Sequence, residues 1–122
     1  MPEKSKNSIE RLLLVDDDNG FRRSLALNLQ YRGYKILEAR NGMDAIKHLK
    51  RFQASEEAVD GMVIDAKMPG LDGFWLADQV VSLYPQIKIV IISAFSYPES
   101  IHNYEILTKP VHITQLIQAL NQ

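Results

Sequence analysis

A chain of 122 residues with 46% hydrophobic and 24% charged side chains has the profile of one ordinary globular domain, and at this size a single apolar core buries roughly two thirds of the unfolded chain's surface. Fourteen basic residues stand against fifteen acidic ones, so no basic face supports wholesale nucleic-acid binding, and the absence of cysteine rules out disulfides, thiolate metal sites and a cysteine nucleophile. No apolar run approaches the ~20 residues that span a bilayer, and the opening MPEKSKNSIE lacks an apolar core, so we expect neither a membrane helix nor a secretory signal, and a cytoplasmic protein.

The apolar pattern alternates between short continuous runs and helical spacing, the signature of an α/β layer fold. Residues 1–10 are polar and expected to fray, leaving 11–122 as the domain. Arg11 to Asp16 reads as a parallel strand covered on both faces. Phe21, Leu25 and Leu29 recur every four residues as a helix closed by Gly33, followed by a strand from Tyr34 to Glu38. Asn41-Gly42 turns the chain into a second helix marked by Ala45, Leu49 and Phe52, and Gln53 to Asp60 reads as a loop. Met62-Val63-Ile64 leads into Asp65 as a third strand. The turn-rich Pro69 to Gly73 precedes a helix on Leu76, Val80 and Leu83, stopped at Pro85. Ile87 to Ile92 is a fourth strand, Glu105 to Leu107 a fifth, and Ile113, Leu116, Ile117 and Leu120 mark a closing amphipathic helix.

Five strands joined by helical crossovers form a parallel sheet with helices on both faces, and ligands of such sheets sit beyond the carboxyl ends of the strands. Those ends carry Asp16-Asp17-Asp18, Asp65, Ser93 and Thr108-Lys109. Carboxylates packed together repel and take up protons unless a cation neutralises them. A hard divalent ion such as Mg²⁺, which takes oxygen ligands and keeps several waters, suits such a set. A carboxylate is also a nucleophile in phosphoryl transfer, and an ammonium beside it would hold the incoming phosphoryl oxygens.

The fragments VDDDNG, ARNGMDAIKHL, IDAKMPGLDG, Ser93-Ala94 and Lys109-Pro110, in this order on this strand frame, together resemble the receiver domain of two-component response regulators over residues 11 to 121. The resemblance implies a flavodoxin-like, doubly wound five-stranded parallel sheet of order 2-1-3-4-5. It implies Asp65 as phosphoacceptor. Mg²⁺ would be bound by Asp16, Asp17, Asp65 and the backbone carbonyl of Lys67, with Asp17 a direct ligand and Asp16 acting through water. Ser93 would hydrogen-bond the phosphoryl group, Ala94 would leave room for the donor, and Lys109 would pair with the phosphoryl oxygens, its bond to Pro110 typically cis. The implied partners are a sensor histidine kinase or phosphotransfer protein and a downstream protein or output domain, with no direct nucleic-acid or membrane binding. The implied function is a binding switch with self-directed chemistry rather than a metabolic enzyme. A phosphorylation-independent interaction module with a vestigial acceptor site is the alternative.

Other readings of the same residues are weaker. As a calcium loop, Asp16 to Gly20 has its glycine one place early and Leu27 where a bidentate Glu belongs. No G-x-x-x-x-G-K-[ST] is present. An aspartyl-phosphate phosphatase would need an aspartate where Lys67 stands. Asp18 and Asp72 read as helix caps, His48, His102 and His112 as surface residues in no metal spacing, and Trp75 as packing or partial surface. Two features depart from the family. Only sixteen positions separate Ser93 from Lys109, which shortens the fourth helix to at most Pro98–Tyr104, about two turns. Ile106 also replaces the aromatic usual three residues before the lysine, with Tyr104 nearby on the same face. We therefore expect Phe95 to Asn103 to open locally and residues 95 to 104 to act as an order–disorder switch.

Overall fold

The computed structural model describes residues 9–96 and 103–122. Its strands are β1 (Arg11–Val15), β2 (Lys35–Ala39), β3 (Gly61–Asp65), β4 (Lys67–Met68), β5 (Leu71–Asp72), β6 (Lys88–Ser93) and β7 (Glu105–Thr108). Its helices are α1 (Asn19–Tyr31), α2 (Gly42–Phe52), α3 (Gly73–Leu83) and α4 (Ile113–Leu120). The principal sheet runs β2-β1-β3-β6-β7 with every pairing parallel, which is the expected 2-1-3-4-5 order once the small antiparallel β4–β5 hairpin is set aside. That hairpin is an addition to the expected turn: Gly70, at φ 72°, takes the left-handed conformation that lets Lys67 and Met68 fold back on Leu71 and Asp72. The short helix expected at Pro98–Tyr104, and the switch placed on 95 to 104, fall mainly on 97–102, outside the described residues, as do residues 1–8 of the polar tail. Ile9 and Glu10 are held. Ile9 packs on the core, the Glu10 carbonyl accepts from the Lys35 N–H, and the Asp60 carboxylate accepts from both the Glu10 and Arg11 N–H groups.

Side chains on a strand alternate faces, and the sheet is apolar on both. Leu13, Val15, Met62, Ile64, Ile89 and Ile91 face α2 and α3. Leu12, Leu14, Val63, Val90 and Ile92 face α1 and α4 with Ala26, Leu29, Leu116 and Leu120. Two helical stripes differ from expectation. In α1 the buried positions are Arg22, Ala26 and Leu29, while Phe21 and Leu25 are half-buried at its edge. In α3, Leu83 is 60% exposed, because the buried face follows Leu76, Ala77 and Val80. Among the described residues no helix is long and apolar enough to cross a membrane.

The end of the sheet that carries the acids is fixed by backbone. Asp18 caps α1 by accepting from the Phe21 N–H (3.0 Å), and Asp72 caps α3 by accepting from the Phe74 N–H (2.8 Å), so both aspartates are the helix caps expected. The α3 N-terminus is pressed onto the end of β3. The Gly73 N–H donates to the Ala66 carbonyl (2.9 Å), and a Cβ at Gly73 would overlap the Asp65 carbonyl oxygen. Glycine is required there by closeness, in addition to the turn that the sequence suggests.

Candidate functional site

Parallel strands β1, β3 and β6 all end at the same edge, so residues distant in sequence meet there. Carboxylate oxygens of Asp16, Asp17 and Asp65 lie within 4.8 Å of one another. They are graded in exposure, Asp16 buried, Asp65 half-buried and Asp17 exposed. Asp16 is pinned from both ends of its residue: its carboxylate accepts from the Asp18 N–H (2.9 Å), and its carbonyl accepts from Arg22 (2.6 Å). The Lys109 ammonium lies 3.7 Å from the second Asp16 oxygen. Lys109 is carried there by β7, its backbone N–H donating to the Ser93 carbonyl at 2.7 Å, one step beyond the Ser93–Thr108 pair. The Lys109–Pro110 peptide bond is cis.

Ser93, 1% exposed, ends β6 next to the strand of Asp65, and its hydroxyl accepts from the Phe95 N–H (2.9 Å), forming a tight turn. Ala94 is exposed. Lys67 begins the β4–β5 hairpin with an exposed side chain whose ammonium lies 5.7 Å from the Phe95 ring centre, and its backbone hydrogen-bonds the Asp65 carboxylate. The structure thus gathers Asp16, Asp17, Asp65 and Lys109 into direct electrostatic contact and brings Ser93 and Lys67 to the same edge. His48 stacks on Phe52 away from it, His112 stands exposed before α4, and His102 is outside the described residues.

Electrostatics mark Asp65. Burial first, then the Asp16 carboxylate, push its carboxyl up to about 6, with Lys109 and the Lys67 backbone working the other way and Asp17 adding to the rise. Asp16 is also raised, chiefly by burial, against the stabilising Asp18 N–H and Lys109. Three carboxylates facing one ammonium leave a surplus of negative charge, the condition a cation relieves.

Two participants are absent from the sequence reading. Arg22, on the buried face of α1, donates to the Asp16 carbonyl, to Asn19 Oδ1 (2.9 Å) and to Glu38 (3.0 Å), while Arg23 takes the other Glu38 oxygen. Its position four residues before Ala26 and seven before Leu29 was the available signal, masked because a charged residue is read as solvated. Phe21 is the second: the Lys109 ammonium lies 4.3 Å from its ring centre, a contact across 88 positions of sequence that periodicity does not reveal.

This sheet order and its acid-bearing edge define a doubly wound α/β fold of the receiver type, and the comparisons agree. A family model, the response regulator receiver domain, matches residues 12–121. The chain is 31% identical over 120 residues to the response regulator receiver protein CpdR of Brucella abortus, covering 93% of this chain and 96% of that one. It is 33% identical over 116 residues to the transcriptional regulatory protein GlrR of Escherichia coli, covering 90% of this chain but 25% of that longer regulator. Among solved structures, the response regulator TrrA of Thermotoga maritima, in complex with Mg²⁺-BeF, superposes with a TM-score of 0.74 at 30% identity, over 90% of this chain and 95% of that one. The chain belongs to the response regulator receiver domain family of two-component systems.

Proposed function

We propose that this receiver domain, extending over residues 11–122, accepts a phosphoryl group on Asp65 from the phosphohistidine of a sensor histidine kinase or phosphotransfer protein. The altered surface then changes its binding to a downstream protein or output domain. The observation that carries this reading is the convergence of three carboxylates within 4.8 Å, with an ammonium 3.7 Å from one of them. The donor set fits Mg²⁺: hard carboxylate oxygens of Asp16, Asp17 and Asp65, with the Lys67 carbonyl on the adjoining hairpin, beside open solvent that can complete the coordination. When bound, Mg²⁺ would neutralise the surplus negative charge and polarise the phosphoryl oxygens.

In the proposed step an Asp65 carboxylate oxygen attacks phosphorus. The new P–O bond forms as the P–N bond to the donor imidazole breaks, and the departing imidazole nitrogen takes up a proton from water. Lys109 stands where it would balance the phosphoryl charge, and the Ser93 hydroxyl, a donor as well as the acceptor for Phe95, would hydrogen-bond a phosphoryl oxygen. The domain acts on itself and a donor, as a switch and not as a metabolic enzyme, and we place it in the cytoplasm, without nucleic-acid or membrane contacts of its own. That TrrA was solved with Mg²⁺-BeF, at 30% identity, supports the metal and phosphoryl reading here. Mass spectrometry after incubation with phosphoramidate and Mg²⁺ tests it: one phosphoryl adduct is expected on the native protein and none on Asp65→Asn. An adduct persisting in Asp65→Asn would overturn the acceptor assignment, and no adduct on the native protein would leave the phosphorylation-independent interaction module.

A further inference from the structure

Lys109 faces the Asp16 and Asp65 carboxylates and also an aromatic ring, and its contact with Asp16 is a long one. Its ammonium stands 3.7 Å from the Asp16 oxygen, well beyond the ~2.7–2.9 Å of a charge-assisted hydrogen bond. The same ammonium lies 4.3 Å from the Phe21 ring centre, inside the ~6 Å within which a ring face attracts a cation. The lysine side chain remains 26% exposed, so a route to solvent is open, and the rotamer entropy of a four-carbon stem draws it there. The residue that carries the ring is anchored: Phe21 is half-buried at the edge of the core between α1 and the sheet, and its own N–H donates to the capping Asp18 carboxylate (3.0 Å). The third aspartate of the run therefore holds the residue that carries the ring, while the first two serve the acid cluster.

We propose that Phe21 is a positioning residue for Lys109, its ring face seating the ammonium beside Asp16 and within reach of a phosphoryl group on Asp65. The proposal rests on the reading of Asp65 and Lys109 given above. The ring is well suited to this task because its attraction is not saturated by one direction. An ammonium over a ring face keeps its N–H bonds free, so it can turn from Asp16 toward an arriving phosphoryl oxygen without leaving its seat. An acidic residue at position 21 would hold the ammonium through those same N–H groups and add to the surplus of negative charge; an aliphatic one would supply volume and no attraction.

The test keeps the shape of the ring and weakens its face. Phenylalanine at position 21 is replaced by mono-, di- and trifluorinated analogues, and separately by Phe21→Trp and Phe21→Leu. Beryllofluoride affinity at saturating Mg²⁺ is then measured, a readout that needs no kinase and is not affected by loss of a docking contact. A stepwise fall with each fluorine is expected, reaching about three- to tenfold in Phe21→Leu, with Phe21→Trp at or above the native value. Independently, the Lys109 ε-methylene protons should resonate upfield in the native protein from the ring current, and return to ordinary positions in Phe21→Leu. Equal affinity across the fluorinated series, or Lys109 resonances that ignore Phe21→Leu, would overturn the proposal while leaving the acceptor reading intact. Failure of the native protein to bind beryllofluoride would remove both.

Discussion

As the proposed phosphoacceptor, Asp65 concentrates a conflict: it would have to be ionised to attack, in a place that resists ionisation. With its carboxyl pushed up to about 6 by burial and by Asp16, the folded metal-free protein holds, between about pH 4 and 6, a proton that the unfolded chain, at the ordinary value near 3.8, has already released. Folding is therefore favoured by this group below about pH 4, and that advantage is lost as pH rises through about 6. Urea titrations without metal should show Asp65→Asn gaining stability over the native protein at pH 7 by about 1 kcal/mol, once solvent screening of the half-exposed group is allowed for, and nothing at pH 3.5. An equal gain at both values would mean that packing rather than charge is responsible. Arg22 acts in the opposite sense. Replacing it with Met keeps much of the stem but strands the Asp16 carbonyl and Asn19, and a loss of about 2–3 kcal/mol is expected by denaturant unfolding. A loss below 0.5 kcal/mol, roughly that of an exposed pair, would show that Arg23 and water replace it.

At the scale of elements, the edge bearing the site is assembled by helix starts and strand ends that fix one another. The α3 N-terminus docks on β3 so closely that Gly73→Ala must move either the helix or the Asp65 carbonyl, and a loss of about 2–3 kcal/mol is expected in thermal unfolding, as for overpacking elsewhere. If the variant melts with the native protein, the loop has absorbed the methyl group. Farther along α3, Asp78 accepts a hydrogen bond of 2.5 Å from the Tyr104 hydroxyl, and burial, then this contact, push the phenol above its ordinary range. Tyr104 and Ile106 both pack on the same core, as strand alternation suggests, but the tyrosine is tied across to α3 as well. Tyr104→Phe should cost about 1 kcal/mol and raise amide exchange in β7 selectively. Exchange that rises uniformly would point to global destabilisation instead.

For the whole molecule, a ligand that binds only the folded state adds RT ln(1 + [L]/Kd) to stability. For Mg²⁺ at millimolar concentration and a Kd of similar order this is about 0.4–1 kcal/mol. The melting temperature should therefore rise modestly with Mg²⁺ in the native protein and not in Asp17→Ala, whose metal-free form should be the more stable because one repelling carboxylate is gone. A Mg²⁺ shift surviving in Asp17→Ala would place the ion elsewhere. The effect is global because Asp16, Asp17, Asp65 and Lys109 come from strands spread across the sheet, so the cluster exists only when the sheet is complete.

The sheet, its strands and the acid edge were legible in the sequence because their causes are local and repetitive. Leu12 to Val15 and Ile89 to Ile92 are unbroken apolar runs, which suit strands buried on both faces, and Asp18 and Asp72 sit where a helix start needs an acceptor. Motif order then gathered Asp16, Asp17, Asp65, Ser93 and Lys109 before any distance was known. Pairwise closeness was beyond its reach. That Gly73 must be glycine depends on how far α3 slides onto β3. That an arginine in α1 is core, while Leu83 in α3 is not, depends on which arc of each helix meets the sheet. The seating of Lys109 on Phe21 joins the first helix to the last strand's end. Such contacts are set by the rotation and approach of whole elements, which minimise exposed apolar area over the entire fold, and no window of sequence contains that sum.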